Sequence, residues 1–280
     1  MTALRGIASL SFMLRIFWIL PITCAALLLA GCDTPAPKQA PIWQQVKIGD
    51  LAPRVTAEPN QQLSDNINVD IYIFEIPTSD ANVLSDIWPL LYTMTLRFND
   101  YDAFGANLFA AGFGEAQMWD SAGSILRTAG ARMVERNSIV LLDGKTRDLT
   151  VTSLDSEKAI LYASAAGRSE GVTIGPGSLC LRIRAVKIPS RKGVCEMDIQ
   201  PAFLPLSSRR SARSEEARKT LPFTFEALAF GVKMSPGNFF LLGPKQYTTE
   251  KTSLAGLFFC QPHTIPSARL YMFVCGGIAD

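Results

Sequence analysis

From Gly130 to the end of the chain, apolar residues recur at every second position. A period of two places successive side chains on opposite faces of an extended strand, so this part of the chain is committed to β-sheet. Short turns between the runs make the sheets mostly antiparallel. Arg132 to Leu142 and Lys145 to Thr152 flank Asp143-Gly144, a pair that favours the hairpin turn, and are expected to pair with each other. Ala159 to Ala163 is a further strand, and Gly171 to Gly177 reads as loop around Gly175-Pro176-Gly177. Leu179, Leu181 and Ile183 alternate with Cys180, Arg182 and Arg184. After the turn Pro189 to Gly193, Cys195, Met197 and Ile199 alternate with Glu196, Asp198 and Gln200. The two charged faces are expected to meet across this hairpin. Phe223 to Met234 is read as strand, Ser235-Pro236-Gly237 as turn, Asn238 to Leu242 as strand and Gly243-Pro244 as a second turn. Leu270 to Val274 is apolar at nearly every position, the pattern of an interior strand.

The part before Gly130 is mixed. Val69 to Ile76 alternates and is stopped by Pro77. Thr78, Ser79 or Asp80 offers an N-cap for a helix through Trp88, ended by Pro89. Leu96-Arg97-Phe98 is a brief strand, and Asn99 to Asp102 reads as a turn. Glu115 to Ala129 is the clearest helix: Met118, Ala122, Ile125, Leu126 and Ala129 form one apolar stripe, and Gly130 supplies the stop. Met118 and Trp119 are read as core. The expected fold class is α+β: one N-terminal strand and two helices, followed by a mostly antiparallel β-sheet system.

The start of the chain belongs to a different physical class. Arg5 and Arg15 precede an apolar run from Ile16 to Leu29, which closes on Leu29-Ala30-Gly31-Cys32. Basic n-region, apolar h-region and small-residue cleavage site make a secretory signal over 1–31. The last four residues resemble the lipobox of bacterial lipoproteins. That resemblance implies acylation of Cys32, cleavage before it, and a membrane anchor of several acyl chains. Asp33 resembles an inner-membrane retention signal. Residues 32–66 hold Pro35, Pro37, Pro41, Pro53 and Pro59 among polar residues and read as a tether spanning roughly 30 Å if flexible. The domain then runs over 67–280.

The chain has 280 residues and a formal net charge of +2. Both positive charges of the excess sit on Arg5 and Arg15, so the processed chain is neutral. Neutrality gives no electrostatic footprint for nucleic acid. Arg209 to Lys219 carries five basic and two acidic residues and reads as a solvated loop between strands.

Six cysteines are present. Cys24 leaves with the signal and Cys32 takes the lipid. An exported chain allows disulfides among Cys180, Cys195, Cys260 and Cys275. Cys180 and Cys195 fall on opposite faces of their hairpin, which disfavours a direct bridge. Cys260 and Cys275 are placed symmetrically about Pro266 to Ala268, each at the outer end of an expected apolar strand, and are the candidate disulfide. Catalytic patterns are missing from the sequence. The one histidine, His263, lies between two prolines. Gly144-Lys145-Thr146 lacks the rest of a P-loop, and Gly112-Phe113-Gly114 is an incomplete dinucleotide fingerprint. No enzyme, cofactor or metal site is expected.

Four stretches resemble the core of the secretin family, the envelope rings of secretion and pilus systems. They are Val69 to Ile76, Ile139 to Lys145, Gly177 to Ile183, and Met234 to Gly243. Ala185 and Val186 stand where that family has a Pro, and residues 153–175 are short for its gate or wall hairpins. The resemblance implies a secretin-like lipoprotein without the pore. The expected function is therefore a non-enzymatic envelope lipoprotein with a structural or assembly role. It would face the periplasm or the cell surface from the inner or outer membrane, with an envelope protein or another copy of itself as partner. The alternative is a small-ligand-binding lipoprotein with an apolar pocket lined by Phe223, Phe225, Phe239 and Phe240.

Overall fold

The structure, a computed structural model, describes residues 66–77, 84–206, 222–246, 253–261 and 266–279. The signal, Cys32, Asp33, the tether, the N-cap candidates Thr78 to Asp80, the charged run 209–219 and His263 lie outside the described residues.

The chain enters as β1 (Asn66–Pro77), then forms α1 (Leu84–Ile87) with a 3-10 turn at Trp88–Leu90, and β2 (Leu96–Phe98). Next come α2 (Tyr101–Ala106), β3 (Phe109–Gly114), a 3-10 turn at Ala116–Met118 and α3 (Trp119–Thr128). Six strands follow: β4 (Arg132–Leu142), β5 (Thr146–Leu154), β6 (Lys158–Ala163), β7 (Ser169–Ile174), β8 (Gly177–Lys187) and β9 (Cys195–Pro205). The last part holds β10 (Phe223–Thr224), β11 (Phe230–Met234), β12 (Phe239–Pro244), α4 (Leu254–Phe259), β13 (Cys260–Gln261) and β14 (Ser267–Ile278). This is the expected α+β architecture.

The strands form two mixed-order antiparallel sheets and one ribbon. The first sheet runs β3-β12-β14-β1-β4, with β13 also on β14. The second runs β2-β11-β9-β8-β5, with β10 on β9. β6 and β7 pair only with each other. Alternation decides how the first sheet is covered. Ile67, Val69, Ile71 and Ile73 of β1 join Tyr271, Phe273, Phe240 and Leu242 in a core shared with Leu179, Leu181, Ile183, Met197 and Ile199 of the second sheet. Tyr72 and Ile76 face the other way with Met272, Leu270, Leu241 and Phe239, against Ile87 of α1 and Ala122 and Leu126 of α3. The second sheet, with α2 and α4, thus covers one face, and α1 and α3 cover the other. β14 is interior, as its continuous apolar run requires.

Trp119, half-buried, packs edge-on against Tyr72 and Phe239, so Met118 and Trp119 are core, as expected. Gly112 and Gly114 belong to β3. A Cβ at Gly112 would lie 2.5 Å from Leu91 and one at Gly114 2.2 Å from the Phe239 ring. Their role is to admit side chains from the helical face.

Several expectations are corrected. Asp143-Gly144 does turn the chain, with Lys145 N–H donating to Leu142 and Gly144 at φ +70°. The strands it joins do not form a hairpin ladder: β4 pairs β1, whereas β5 pairs β8. The turn fixes only the local reversal, and the larger sheets take each strand. Residues Asn99–Asp102 do not end in a loop. Asp100 caps α2, with Ala103 N–H donating to its carboxylate at 2.9 Å. Gly171 to Ile174, read from sequence as the start of a loop, instead belongs to β7, which pairs with β6. The segment before Cys260 is helix α4, capped by Ser253, where a strand was expected. β12 continues through Gly243 and Pro244, read from sequence as a turn. Phe239 and Phe240 point to opposite faces and lie in different cores, so the four phenylalanines proposed for one pocket do not share one.

At the open end of the β8–β9 ladder, Gly177 faces Pro205 and a Cβ there would stand 2.3 Å from the Leu204 carbonyl oxygen. Backbone cannot yield as a side-chain tip can. Gly177→Ala is expected to cost about 1–3 kcal/mol, read as a lower urea midpoint with unchanged slope.

Candidate functional site

Two features of the described surface offer themselves to a partner: a groove beside α2 and the free edge of β4. The groove holds about 650 Å³ and is lined by Trp88, Phe98, Tyr101, Asp102, Phe109 and Lys245 among others. Its aromatic wall is built by packing: Phe98 meets Tyr101 edge-on and Phe104 at a tilt, and Phe104 packs at a tilt on Phe109 and edge-on against Phe230. The Trp88 indole nitrogen is buried and has no hydrogen-bond partner among the described residues. Leu108, at φ +63°, turns the chain from α2 into β3 and its carbonyl accepts from the N–H of Lys245, a residue lining the groove, at 2.7 Å.

The neighbouring Asn107 holds three elements together. Its side-chain amide donates to Ala103 O at 2.7 Å, at the end of α2, and to Ala163 O at 2.8 Å, at the end of β6. Its oxygen accepts from Ala163 N–H at 3.0 Å, and its backbone carbonyl accepts from Ala255 N–H of α4. It is 4% exposed, one of few buried polar residues described. Nearby, Tyr162 donates to Glu170 across the β6–β7 ribbon at 3.1 Å. Burial, aided by that bond, pushes the Tyr162 phenol up to about 12. Sequence reading passed over Asn107 because its partners lie 56 and 148 residues away and leave no local pattern.

β4 pairs with β1 along one side, and no described strand pairs its other side. It is 11 residues long and mostly exposed, with Val134, Val140 and Leu142 about half in solvent. By contrast, the outer face of the second sheet is neutralised internally. Arg97 pairs with Glu196 at 2.6 Å and with Asp198 at 3.6 Å; Arg184 pairs with Asp198 at 3.8 Å. The expected meeting of the charged faces holds for Arg184 but not for Arg182, which stands opposite Gln200 and pairs with Asp148 of β5 at 3.0 Å. Such exposed pairs contribute about 0–1 kcal/mol each and mark a solvated face.

The cysteines are distributed differently from the sequence expectation. Cys260 stands opposite Ala268 on β14, seven residues from Cys275. At strand rise that is roughly 23 Å, far beyond disulfide reach. Cys180 stands opposite Ala202, seven residues along β9 from Cys195, so those two are equally far apart, as the face argument required. Burial pushes the Cys180 thiol up to about 11. The sequence missed a different proximity: the thiols of Cys195 and Cys275, both fully buried, are hydrogen-bonded to each other. Among the described residues no cluster of His, Cys, Asp and Glu is arranged to hold a metal ion, and no helix is long and apolar enough to cross a membrane.

No protein-family model matches this chain, and no curated protein does. Among solved structures it has a remote likeness to the InvG secretin domain β-barrel from the Salmonella SPI-1 injectisome NC-base. The identity is 12% and the TM-score 0.24, over 77% of this chain and 64% of that one. The cryo-EM structure of the Salmonella SPI-1 type III secretion injectisome secretin InvG aligns at 10% identity and TM-score 0.26, over 77% and 65%. The basal-body model of InvG, PrgH and PrgK gives the same identity and TM-score, over 77% and 46%. The chain spans less than two thirds of each of these chains.

Replacing Asn107 by Ala strands the N–H and C=O of Ala163. The expected cost is about 1–3 kcal/mol, with hydrogen exchange accelerating in β6 and β7 before the two large sheets. Uniform acceleration across all strands would show that Asn107 does not secure the ribbon in particular.

Proposed function

We propose that this chain is a bacterial envelope lipoprotein, anchored through acylated Cys32, with a non-enzymatic structural or assembly role carried by protein contacts. The observation that supports the reading most directly is the open edge of β4. A strand of 11 residues with one side unpaired by any described strand is a template for strand addition, and proteins can blunt such edges with charge, Pro or a covering element. β4 carries exposed Arg132, Glu135 and Arg136, and beside them it shows Val134, Val140 and Leu142 to solvent. The partner is an envelope protein or a second copy of this chain. The lipobox Leu29-Ala30-Gly31-Cys32, the Pro-rich stretch behind it and the four secretin-like stretches of sequence support the same placement. A second reading, small-ligand binding, draws on the aromatic groove lined by Trp88, Phe98, Tyr101 and Phe109.

Two experiments test the first reading. Cys32→Ser is expected to yield an unprocessed or soluble chain on membrane fractionation; a mature-size variant that stays membrane-bound would refute the anchor. Val134→Lys combined with Val140→Lys is expected to remove the dominant crosslinked species from whole cells. Because both positions are exposed, stability should change by no more than about 0.5 kcal/mol per site. An unchanged crosslinking pattern would refute the edge as the contact.

A further inference from the structure

We propose that Cys195 and Cys275 form a disulfide that staples the two sheets together. Cys195 opens β9 in the second sheet, and Cys275 lies near the end of β14 in the first. The chain itself brings them together. Met234, the last residue of β11, pairs with Cys195. Four residues later Asn238 accepts from Cys275 N–H at 3.0 Å, and Gly237 N–H donates to the Cys275 carbonyl at 2.8 Å. The tight turn Ser235–Asn238 therefore crosses from one sheet to the other at the point where the two cysteines sit, and it holds the sheets close there. Gly237, at φ +86°, supplies the left-handed residue this crossing needs. Both side chains are 0% exposed and belong to the core shared by the sheets. Their sulfurs are in hydrogen-bonding contact, which lowers the Cys195 thiol and raises that of Cys275. Cys180 and Cys260 each lie about 23 Å along a strand from these positions, so neither competes.

The bridge forms by exchange with a disulfide-bearing oxidant, either oxidised glutathione or a thiol–disulfide oxidoreductase. One protein thiol loses its proton, and its thiolate attacks the oxidant's S–S bond, giving a mixed disulfide and one released thiol. The second thiolate then attacks the protein sulfur of the mixed disulfide. The Cys195–Cys275 S–S bond closes, and the oxidant leaves as two thiols carrying both electrons and both protons. Because the folded core excludes solvent from both sulfurs, exchange takes place before the sheets close. Formation in the cell rests on the exported, lipoprotein reading of the chain, since reducing compartments keep such pairs as thiols. The bridge would enclose about 80 residues, a long loop, and so restrict the unfolded chain strongly.

The test uses the full chain in detergent. Reduced protein is refolded in a glutathione redox mixture, alkylated and digested without reduction. Mass spectrometry is expected to show the Cys195 and Cys275 peptides linked. Adding reductant should lower the melting temperature of the oxidised chain by roughly 5–15 °C and leave Cys195→Ala unmoved. Alkylated Cys195 and Cys275 after oxidative refolding, or a bridge from either to Cys180 or Cys260, overturns the proposal. The same mapping on chain trapped with acid and maleimide from cells should also show the link. A link that forms in vitro but is missing from cells upholds the pairing and overturns the exported placement.

Discussion

The β1–β14 pair is the constraint from which the architecture follows. β14 over Leu270 to Val274 and β1 over Ile71 to Phe74 are apolar on both faces, so neither can lie at an edge or on a solvated surface there. Ile71 and Phe273 stand opposite each other on one side of the sheet, Tyr72 and Met272 on the other. A second sheet is needed to cover the first set and a helical layer to cover the second. α3 supplies the helical cover with Ala122 and Leu126, and β8, β9 and β11 supply the sheet cover. The absence of side chains at Gly112, Gly114 and Gly243 belongs to the same account, since Leu91, Phe239 and Leu270 occupy the space a Cβ would fill.

Elements with strong internal periodicity were legible in the sequence: β1, α3, β8, β9 and the interior character of β14. Elements defined by what lies across from them were not. Asp143-Gly144 encodes a reversal, yet the partners of β4 and β5 are chosen by strands elsewhere in the chain. β7 is Ser-Glu-Gly-Val-Thr-Ile, with too few apolar positions to show alternation. α4 is Leu-Ala-Gly-Leu-Phe-Phe, buried on every side, and a helix buried all round has no amphipathic period to read. The candidate disulfide failed for a related reason. Equal spacing about a turn implies equal strands, but β13 has two residues where β14 has twelve. The contact that does form, between Cys195 and Cys275, is set by a third segment, Met234–Asn238.

The surface divides by chemistry in the same way. On the second sheet Arg97, Arg182 and Arg184 each have an acid across or beside them, so those charges are answered locally, while Arg147 donates to the Val140 carbonyl of β4. Along β4 the exposed valines and leucine have no such answer, and the backbone beside them has a ladder direction unused by any described strand. These surfaces differ little in net charge; they differ in whether their interactions are already completed within the chain.

The β6–β7 ribbon gives the fold a place to change length. β5 and β8 pair directly, and their last rung, Leu154 opposite Gly177, is where the ribbon departs and returns. Topologically the 22 residues between are an outgrowth from the tip of one hairpin. Their ties to the rest include the Asn107 amide, the Leu206 N–H donated to the Pro176 carbonyl, and the buried side chains Ile160, Tyr162 and Ile174. A lineage that lengthened, shortened or replaced this outgrowth would leave every rung of both large sheets in register. The same scaffold is therefore free to present different ends to different neighbours while its interior stays fixed.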